Sequence, residues 1–344
     1  MQVSNPGAGV LLALLSGLLL GAFALPMKRM RDWQWENTWL AYCFWSLIVF
    51  SWLFGLVTVP SLFSVVLTAS SRALVPVFLF GAGWGIGCVL FGLALDMSGL
   101  ALGTAIVLGL NNAFGALLPL LLFHSDQLAR RTGLTLLAGV SIMMTGVALC
   151  AWAGSTREGS LEEGRNPVGP QGKNRVRKGV FLAIAAGIFA TMFNFALVFG
   201  DTLRNLAERE GAQPIYANNA VWCVSLLGGF VVNAAYCGYL LARKRSWPLF
   251  SWKHSVRNWP LSIVMGGTWM GGVVIYGMAV SKLGRLGPSV GWALIQSMAI
   301  MAGNLLGLLT GEWRNAGPRF RPRMVSGLAV LFAGIAMVAA SALV

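Results

Sequence analysis

Ten apolar segments dominate the chain, each about 20 residues long or longer. A helix needs about 20 apolar residues to cross the roughly 30 Å hydrocarbon core of a bilayer. Inside that core, a helix satisfies its backbone hydrogen bonds within its own segment. We therefore predict ten membrane-spanning helices. Their expected bounds are 9–27, 39–59, 74–98, 101–123, 133–153, 179–201, 217–242, 259–282, 286–310 and 324–343.

The composition favours a membrane protein over a soluble one. Charged residues make up 10% of the chain and hydrophobic residues 57%, whereas a soluble domain carries about 25% charged residues. The net charge of +14 is compatible with a nucleic-acid surface, but the Lys and Arg lie in short loops without clustered aromatic side chains. We predict an all-α polytopic protein in a lipid bilayer, with no nucleic-acid partner. The five cysteines lie in apolar segments and are interpreted as small core residues.

The basic residues predict the orientation of the chain. The loops after the first, third, fifth, seventh and ninth segments carry more than twice as many Lys and Arg as the loops on the other face. Cytoplasmic loops are enriched in these residues. This face is therefore expected in the cytoplasm, and both termini are expected on the opposite side.

A long polar stretch, GSTREGSLEEGRNPVGPQGKNRVRK at 154–178, separates two sets of five segments. Its glycine, proline and charged residues are typical of a flexible connector. We predict a first five-helix unit over 1–153, a cytoplasmic linker over 154–178 and a second five-helix unit over 179–344. Because five is odd, the second unit enters the membrane from the opposite face.

One glycine-rich stretch occurs in both units. GAGWGIGCVLFGLALDMSG at 81–99 aligns with GGTWMGGVVIYGMAVSKLG at 266–284, at an offset of 185 positions. The alignment pairs Trp84 with Trp269, in the third segment of each unit. Together with the odd number of segments, it predicts a 5+5 inverted repeat, an arrangement found in many secondary transporters, which bind their substrates where the two repeats meet.

The paired tryptophans lie about ten residues inside their segments. An apolar ring face stacks well on the C–H face of a sugar, and the indole N–H needs a partner when it is buried. Trp84 and Trp269 are therefore candidates for a substrate cavity, with packing in the core as the alternative.

The offset of 185 also pairs Asn111 with Gln296 and Asn112 with Ser297. Carboxamides at mid-membrane are costly unless they are hydrogen-bonded, and they offer donors and acceptors without net charge. They could bind a neutral polyhydroxylated ligand or join helices to each other. The same two roles remain open for a further set, Asn194, Asn218, Asn219 and Asn233.

Ionisable side chains are confined to the segment ends and loops, since no Asp, Glu, Lys, Arg or His lies deep inside a segment. A charged substrate would lack a partner there, which favours a neutral one. No Walker A motif, His/Cys metal cluster or nucleophile–His–Asp arrangement occurs. We expect a transporter, not an enzyme, and no cofactor.

Three stretches carry a family resemblance: KRMRDWQWENTW at 28–39, PVFLFGAGWGIG at 76–87 and GEWRNAG at 311–317. With the ten segments, they resemble the L-rhamnose–proton symporters of the drug/metabolite transporter superfamily. The resemblance implies uptake of a sugar with protons across a bacterial inner membrane, driven by the proton gradient. The termini would then be periplasmic.

Specific residues follow for each role. The expected substrate-binding residues are Trp84, Asn111, Asn112, Trp269, Tyr276, Trp292 and Gln296. The candidates for proton coupling are Glu36, Asp96 and Glu312. The chain departs from the family pattern at Ile295, where the pattern has histidine, and at Cys88, where it has asparagine. These departures imply a divergent branch with a related sugar or a different coupling.

Two alternatives remain at this stage. The same fold could export or exchange a different small metabolite, although the absence of basic residues inside the segments disfavours nucleotide-sugars. A membrane sensor or scaffold would not need the paired polar residues of the fourth and ninth segments. The sequence leaves the oligomeric state open, with a homodimer as one option.

Overall fold

The structure is a computed structural model, and it describes residues 5–123, 125–127, 129–162, 170–251, 255–310 and 320–343. Within these ranges all regular secondary structure is helical and no strand occurs. The α-helices are α1 Pro6–Ala22, α2 Trp35–Cys43, α3 Ser51–Thr58, α4 Leu62–Thr68, α5 Ser71–Ser98, α6 Leu100–Phe123, α7 Arg131–Glu162, α8 Pro170–Ala190, α9 Met192–Val198, α10 Asp201–Arg209, α11 Asn218–Lys244, α12 Asn258–Leu283, α13 Gly287–Leu309 and α14 Phe320–Leu343.

Short non-α segments connect or extend several helices. A π-helical segment, Phe44–Phe50, joins α2 to α3, so that these elements form one continuous rod. The 3-10 segments are Leu25–Arg29, Ser125–Gln127, Trp247–Phe250 and Gly284–Leu286. At α1, the Asn5 side chain accepts a hydrogen bond from the Ala8 amide at 3.1 Å and so caps the helix start.

The described part of the chain contains nine stretches that are long and apolar enough to cross a membrane. Many large apolar side chains on their outer faces are exposed, including Leu11, Phe181 and Leu309. The prediction of an all-α polytopic membrane protein is confirmed. One of the nine stretches, Asn258–Leu309, is 52 residues long. It holds both α12 and α13, with Gly284 between them at a positive φ of 72°.

The structure adds elements that the hydropathy pattern did not predict. The short helices α4 and α10 precede the long helices α5 and α11, respectively. α10 has polar residues on one side and the buried Leu203 and Ala207 on the other. The helix α7 was expected to end at residue 153 but continues to Glu162, and α8 begins at Pro170. Helical backbone therefore extends into the predicted linker from both ends.

Packing at close range positions the central helices. α1 lies against α12 and α13, and α8 lies against α5 and α6. Where α5 crosses α11, a Cβ at Gly81 would lie 1.8 Å from the Ser225 carbonyl oxygen, so only glycine fits. Small residues permit such close contact between helices in a membrane. This crossing holds α5 in place directly beside Trp84.

Candidate functional site

A cavity of about 680 Å³ lies among α1, α5, α6, α7, α8, α9, α12 and α13. This volume falls within the range of about 300–1,000 Å³ that small-molecule sites occupy. The lining includes six of the seven predicted binding residues: Trp84, Asn111, Trp269, Tyr276, Trp292 and Gln296. Ile295, one of the two departures from the family pattern, also lines it, whereas Cys88 does not.

The cavity extends toward one face of the helical bundle. Its lining reaches Phe23 at the end of α1, Thr104 in the first turns of α6, Cys150 in the second half of α7 and Asn304 near the end of α13. These helix ends adjoin the loops after the first, third, fifth and ninth predicted spans. The cavity thus extends toward the face that carries the basic loops.

Aromatic rings form part of the cavity wall. The rings of Trp84 and Trp269 stack, with centroids 5.6 Å apart and an interplanar angle of 23°. Phe193 lies 5.2 Å from Trp84 and 6.0 Å from Trp269, measured between ring centroids. The two tryptophans therefore pack against each other and border the cavity, which combines the two roles that the sequence left open. Phe193 was not predicted, because nothing in its own segment distinguishes it from other apolar residues.

Carboxamides from α6 and α13 meet at the cavity. Asn111 is buried, and its Oδ1 has no hydrogen-bond partner among the described residues. Its backbone oxygen accepts a hydrogen bond from Trp292 Nε1 at 3.0 Å. Gln296 is half-buried and lines the same cavity. A buried polar group without a partner is unfavourable by about 1–3 kcal/mol, so the Asn111 carboxamide gains most from a ligand that donates to it.

Asn112 does not line the cavity. It is fully buried and donates from Nδ2 to Ser297 Oγ at 2.8 Å. Asn112 and Ser297 are the residues that the offset of 185 paired, and here they contact each other directly. The arrangement gives Asn112 a role in joining α6 to α13, and of the two adjacent asparagines Asn111 is the one that lines the cavity.

Most of the other predicted asparagines also join helices. Asn218 Nδ2 donates to the Gly277 carbonyl at 2.8 Å, and Asn219 Nδ2 donates to Thr58 Oγ1 at 2.8 Å. Asn233 Oδ1 accepts from Trp39 Nε1 at 2.9 Å. These three asparagines therefore form hydrogen bonds between helices and do not line the cavity.

Asn194 does not line the cavity itself but accepts a hydrogen bond from a residue that does. Its Oδ1 accepts a hydrogen bond from the Tyr276 hydroxyl at 2.5 Å, and Tyr276 lines the cavity. Thr104 and Asn304 supply further polar groups to the lining and were missed, since they lie near the ends of their segments.

The three candidates for proton coupling have different surroundings. Glu36 lies in the first turn of α2 with a fully buried side chain. Its carboxylate accepts from Lys244 Nζ at 2.9 Å and from Ser246 Oγ at 2.8 Å, which ties α2 to the end of α11. A buried carboxylate requires such partners to offset its desolvation.

Asp96 is 72% exposed and pairs with Arg175 at 3.0 Å. Such surface pairs contribute about 0–1 kcal/mol. Neither Glu36 nor Asp96 lines the cavity. Glu312 lies outside the described residues.

The cavity carries no formal charge. None of the described residues that line it is Asp, Glu, Lys, Arg or His. An ionic ligand would be desolvated there without a partner of opposite charge. The combination of aromatic faces and uncharged polar groups fits a neutral, polyhydroxylated small molecule.

Comparison with known proteins gives a consistent result. The profile of the family described as L-rhamnose-proton symport protein (RhaT) matches residues 6–343. A protein named L-rhamnose-proton symporter from Escherichia coli O1:K1 / APEC is 29% identical over 319 residues, covering 90% of this chain and 91% of the relative. Proteins of the same name from E. coli strains ATCC 8739 and SMS-3-5 match with the same identity and coverage.

Proposed function

The chain belongs to the L-rhamnose-proton symport protein family, and from this premise we propose that it imports L-rhamnose together with protons by alternating access. The observation that carries the proposal is the uncharged cavity, where the Trp84–Trp269 stack and the Asn111 and Gln296 carboxamides border one space. Ring faces pack on the C–H groups of a sugar, and carboxamides both donate to and accept from its hydroxyls.

Ten membrane helices are part of this proposal. The stretch Asn258–Leu309 is too long for one crossing, and its helices α12 and α13 have 26 and 23 residues, each enough for a crossing of its own. If this stretch crosses twice and each of the other eight crosses once, the nine described stretches make ten crossings. The α2, π and α3 elements together make one of them.

The packing supports an inverted repeat. If α1 corresponds to α8, α5 to α12, α6 to α13 and α7 to α14, the contacts of α1 with α12 and α13 are mirrored by those of α8 with α5 and α6. The helices α6 and α13 contact each other, as do α7 and α14. A pseudo-twofold axis between equivalent helices would produce this pattern.

Individual residues support the same symmetry. Gly9 of α1 approaches the Leu283 backbone nitrogen, and Gly179 of α8 approaches that of Ser98. Residues 98 and 283 are related by the offset of 185, which makes Gly9 and Gly179 equivalent at an offset of 170. At this offset Phe23 corresponds to Phe193, and both line the cavity.

The orientation follows from the basic loops. We place their face in the cytoplasm, with both termini periplasmic, the membrane being the bacterial inner membrane. The linker 154–178 would then lie in the cytoplasm. Because the cavity extends toward the basic loops, this conformation corresponds to the inward-open state of the cycle.

For proton coupling, we favour Glu36 over Asp96 and Glu312. Glu36 is buried and its ion pair with Lys244 connects α2 to α11, two helices that correspond to each other in the repeat. Protonation would remove the attraction between these helices and change the balance of conformations. A tenfold bias requires about 1.4 kcal/mol. This value lies between the contribution of about 0–1 kcal/mol of a surface pair and the loss of about 3–5 kcal/mol on breaking a fully buried pair, as expected for a buried carboxylate paired with the half-exposed Lys244.

Uptake of labelled L-rhamnose into proteoliposomes tests the function. We expect accumulation with an inward proton gradient, loss of accumulation with a protonophore, and background counts in protein-free liposomes. Counterflow without a gradient measures translocation separately from coupling. A folded preparation that shows neither uptake nor counterflow of L-rhamnose would contradict the proposal. A substrate screen would then test the alternative of a metabolite exporter or exchanger.

A further inference from the structure

A thin layer closes the cavity on the face opposite the basic loops. Beyond it lies a second hollow of about 730 Å³. Three helices contribute one residue to the cavity and another, four positions away, to the hollow: Phe193 and Leu197, Tyr276 and Val280, Trp292 and Pro288. Four residues rise about 6 Å along a helix. The closure is therefore about one helical turn thick, and we call it the outer layer.

Asn194 lies within the outer layer and is fully buried. Its Oδ1 accepts from the Tyr276 hydroxyl, and its Nδ2 donates to the carbonyl oxygens of Gly115 at 2.8 Å and Pro288 at 3.1 Å. These partners belong to α12, α6 and α13. One side chain thus connects α9 to three other helices, and its bond to Gly115 crosses between the two halves of the chain.

The sequence of α6 leaves the Gly115 carbonyl available for this hydrogen bond. Pro119 lies four residues after Gly115 and has no backbone N–H, so the Gly115 carbonyl lacks its ordinary helical donor. Asn194 supplies the missing donor. Gly115 also makes room for Trp292, since a Cβ there would lie 2.0 Å from the indole nitrogen. The same indole nitrogen donates to the Asn111 carbonyl, which adds a second bond between the halves.

The equivalent positions on the inner side lack this arrangement. The offsets of 170 and 185 relate Asn194, Tyr276, Gly115 and Pro119 to Ala24, Phe91, Ile300 and Asn304. Ala24, Phe91 and Ile300 have no polar side-chain atom. Asn304 donates to the Ile300 carbonyl of its own helix at 2.9 Å. When the inner side closes, these residues cannot form the hydrogen bonds that close the outer side.

We propose that Asn194 is the latch of the outer layer and that its hydrogen bonds favour the inward-open state when no sugar is bound. The inference rests on the alternating access proposed above. Opening toward the outside breaks the hydrogen bonds of Asn194. Closing the inner side forms no equivalent hydrogen bonds in their place. Asn194 is therefore a positioning residue that sets the resting state of the transporter.

A cysteine-labelling experiment tests the latch. Ala299 lines the cavity and is only half-buried, so Ala299→Cys provides a small reporter that a reagent in the cavity can reach. Cys150 also lines the cavity, so the parent carries Cys150→Ser, and the parent without the reporter gives the background. A membrane-impermeant maleimide is applied to right-side-out and to inside-out vesicles. The reporter should react mainly from the face of the basic loops.

Asn194→Ala should raise the labelling rate from the opposite face about tenfold or more, because it removes hydrogen bonds that exist only in the outer-closed state. Tyr276→Phe removes one of these bonds and reproduces the Phe91 side chain, so it should give a smaller rise. Asn218→Ala is the matched control. Asn218 is equally buried, but its bonds to Gly277 and Ser281 stay within the second half.

An unchanged labelling rate from the opposite face in Asn194→Ala, with normal labelling from the basic face, would refute the latch. An equal rise in Asn218→Ala would also refute it, since general loosening would then explain the effect. If Asn194→Ala does not fold, the labelling rate of Tyr276→Phe from the opposite face decides: a rise supports the latch, and an unchanged rate refutes it. The readout requires no sugar. A labelling shift without L-rhamnose uptake would therefore retain the latch and reject the proposed substrate.

Discussion

Replacement of Gly81 by alanine should force α5 and α11 apart. The added Cβ would lie 1.8 Å from the Ser225 carbonyl oxygen, whereas carbon–oxygen contacts lie at about 3.3 Å or more. The helices must therefore separate by roughly 1.5 Å at this point. Because the clashing atom belongs to the backbone, no side-chain rotation relieves it. Overpacking costs about 1–3 kcal/mol, and we expect the upper end of that range.

Gly92 provides the matched control on the same helix. A Cβ at Gly92 meets no heavy atom within 4 Å. Both substitutions share the gain of about 1 kcal/mol in helix propensity, so the comparison isolates the packing cost. We expect G81A to be less stable than G92A by about 3 kcal/mol. Thermal unfolding of the two purified variants in one detergent measures the difference. Equal Tm values would refute the close approach of α5 and α11.

Further predictions concern transport. N111A should raise the KM for the sugar about tenfold, since a lost hydrogen bond of roughly 1.5 kcal/mol corresponds to that factor. N112A should instead lower the Tm and leave KM nearly unchanged. Uptake kinetics measure the change in KM, and melting curves measure the change in Tm. W84A should raise KM by removing one ring of the stack, and an unchanged KM would exclude that ring from the site. E36Q should keep counterflow and lose proton-driven accumulation, and full accumulation by E36Q would reject Glu36 as the protonation site. D96N should transport like the wild type, because the Asp96 carboxylate is exposed.

The sequence predicts the helices and the central aromatic pair well. Hydropathy identifies long apolar helices because lipid imposes one physical requirement on every crossing. The internal alignment identifies Trp84 and Trp269, and in the proposed inverted repeat such equivalent residues are expected to approach each other near the twofold axis. The amphipathic helix α10 was missed, since nine residues outside the long apolar runs give hydropathy little signal.

The contacts of the polar residues were harder to predict from the sequence. Asn111 and Asn112 are adjacent and chemically identical, and only the rotation of α6 against α13 decides which one reaches the cavity. The hydrogen bond of Asn194 to Gly115 depends on a carbonyl that Pro119, in a different helix, leaves without its usual donor. Glu36 was expected in a loop, and its partner Lys244 lies 208 residues away. Each of these contacts is set by tertiary packing, which local sequence patterns do not encode.

The stacked tryptophans have a consequence for how the two halves can diverge. In the proposed inverted repeat, residues away from the twofold axis have separate neighbours in each half. The aligned residues Phe91 and Tyr276 illustrate that such counterparts can differ in chemistry. Trp84 and Trp269 instead contact each other, so a change in either ring alters the surroundings of both. At this point the two proposed repeats share one contact, and a substitution tolerated there must suit both halves at once.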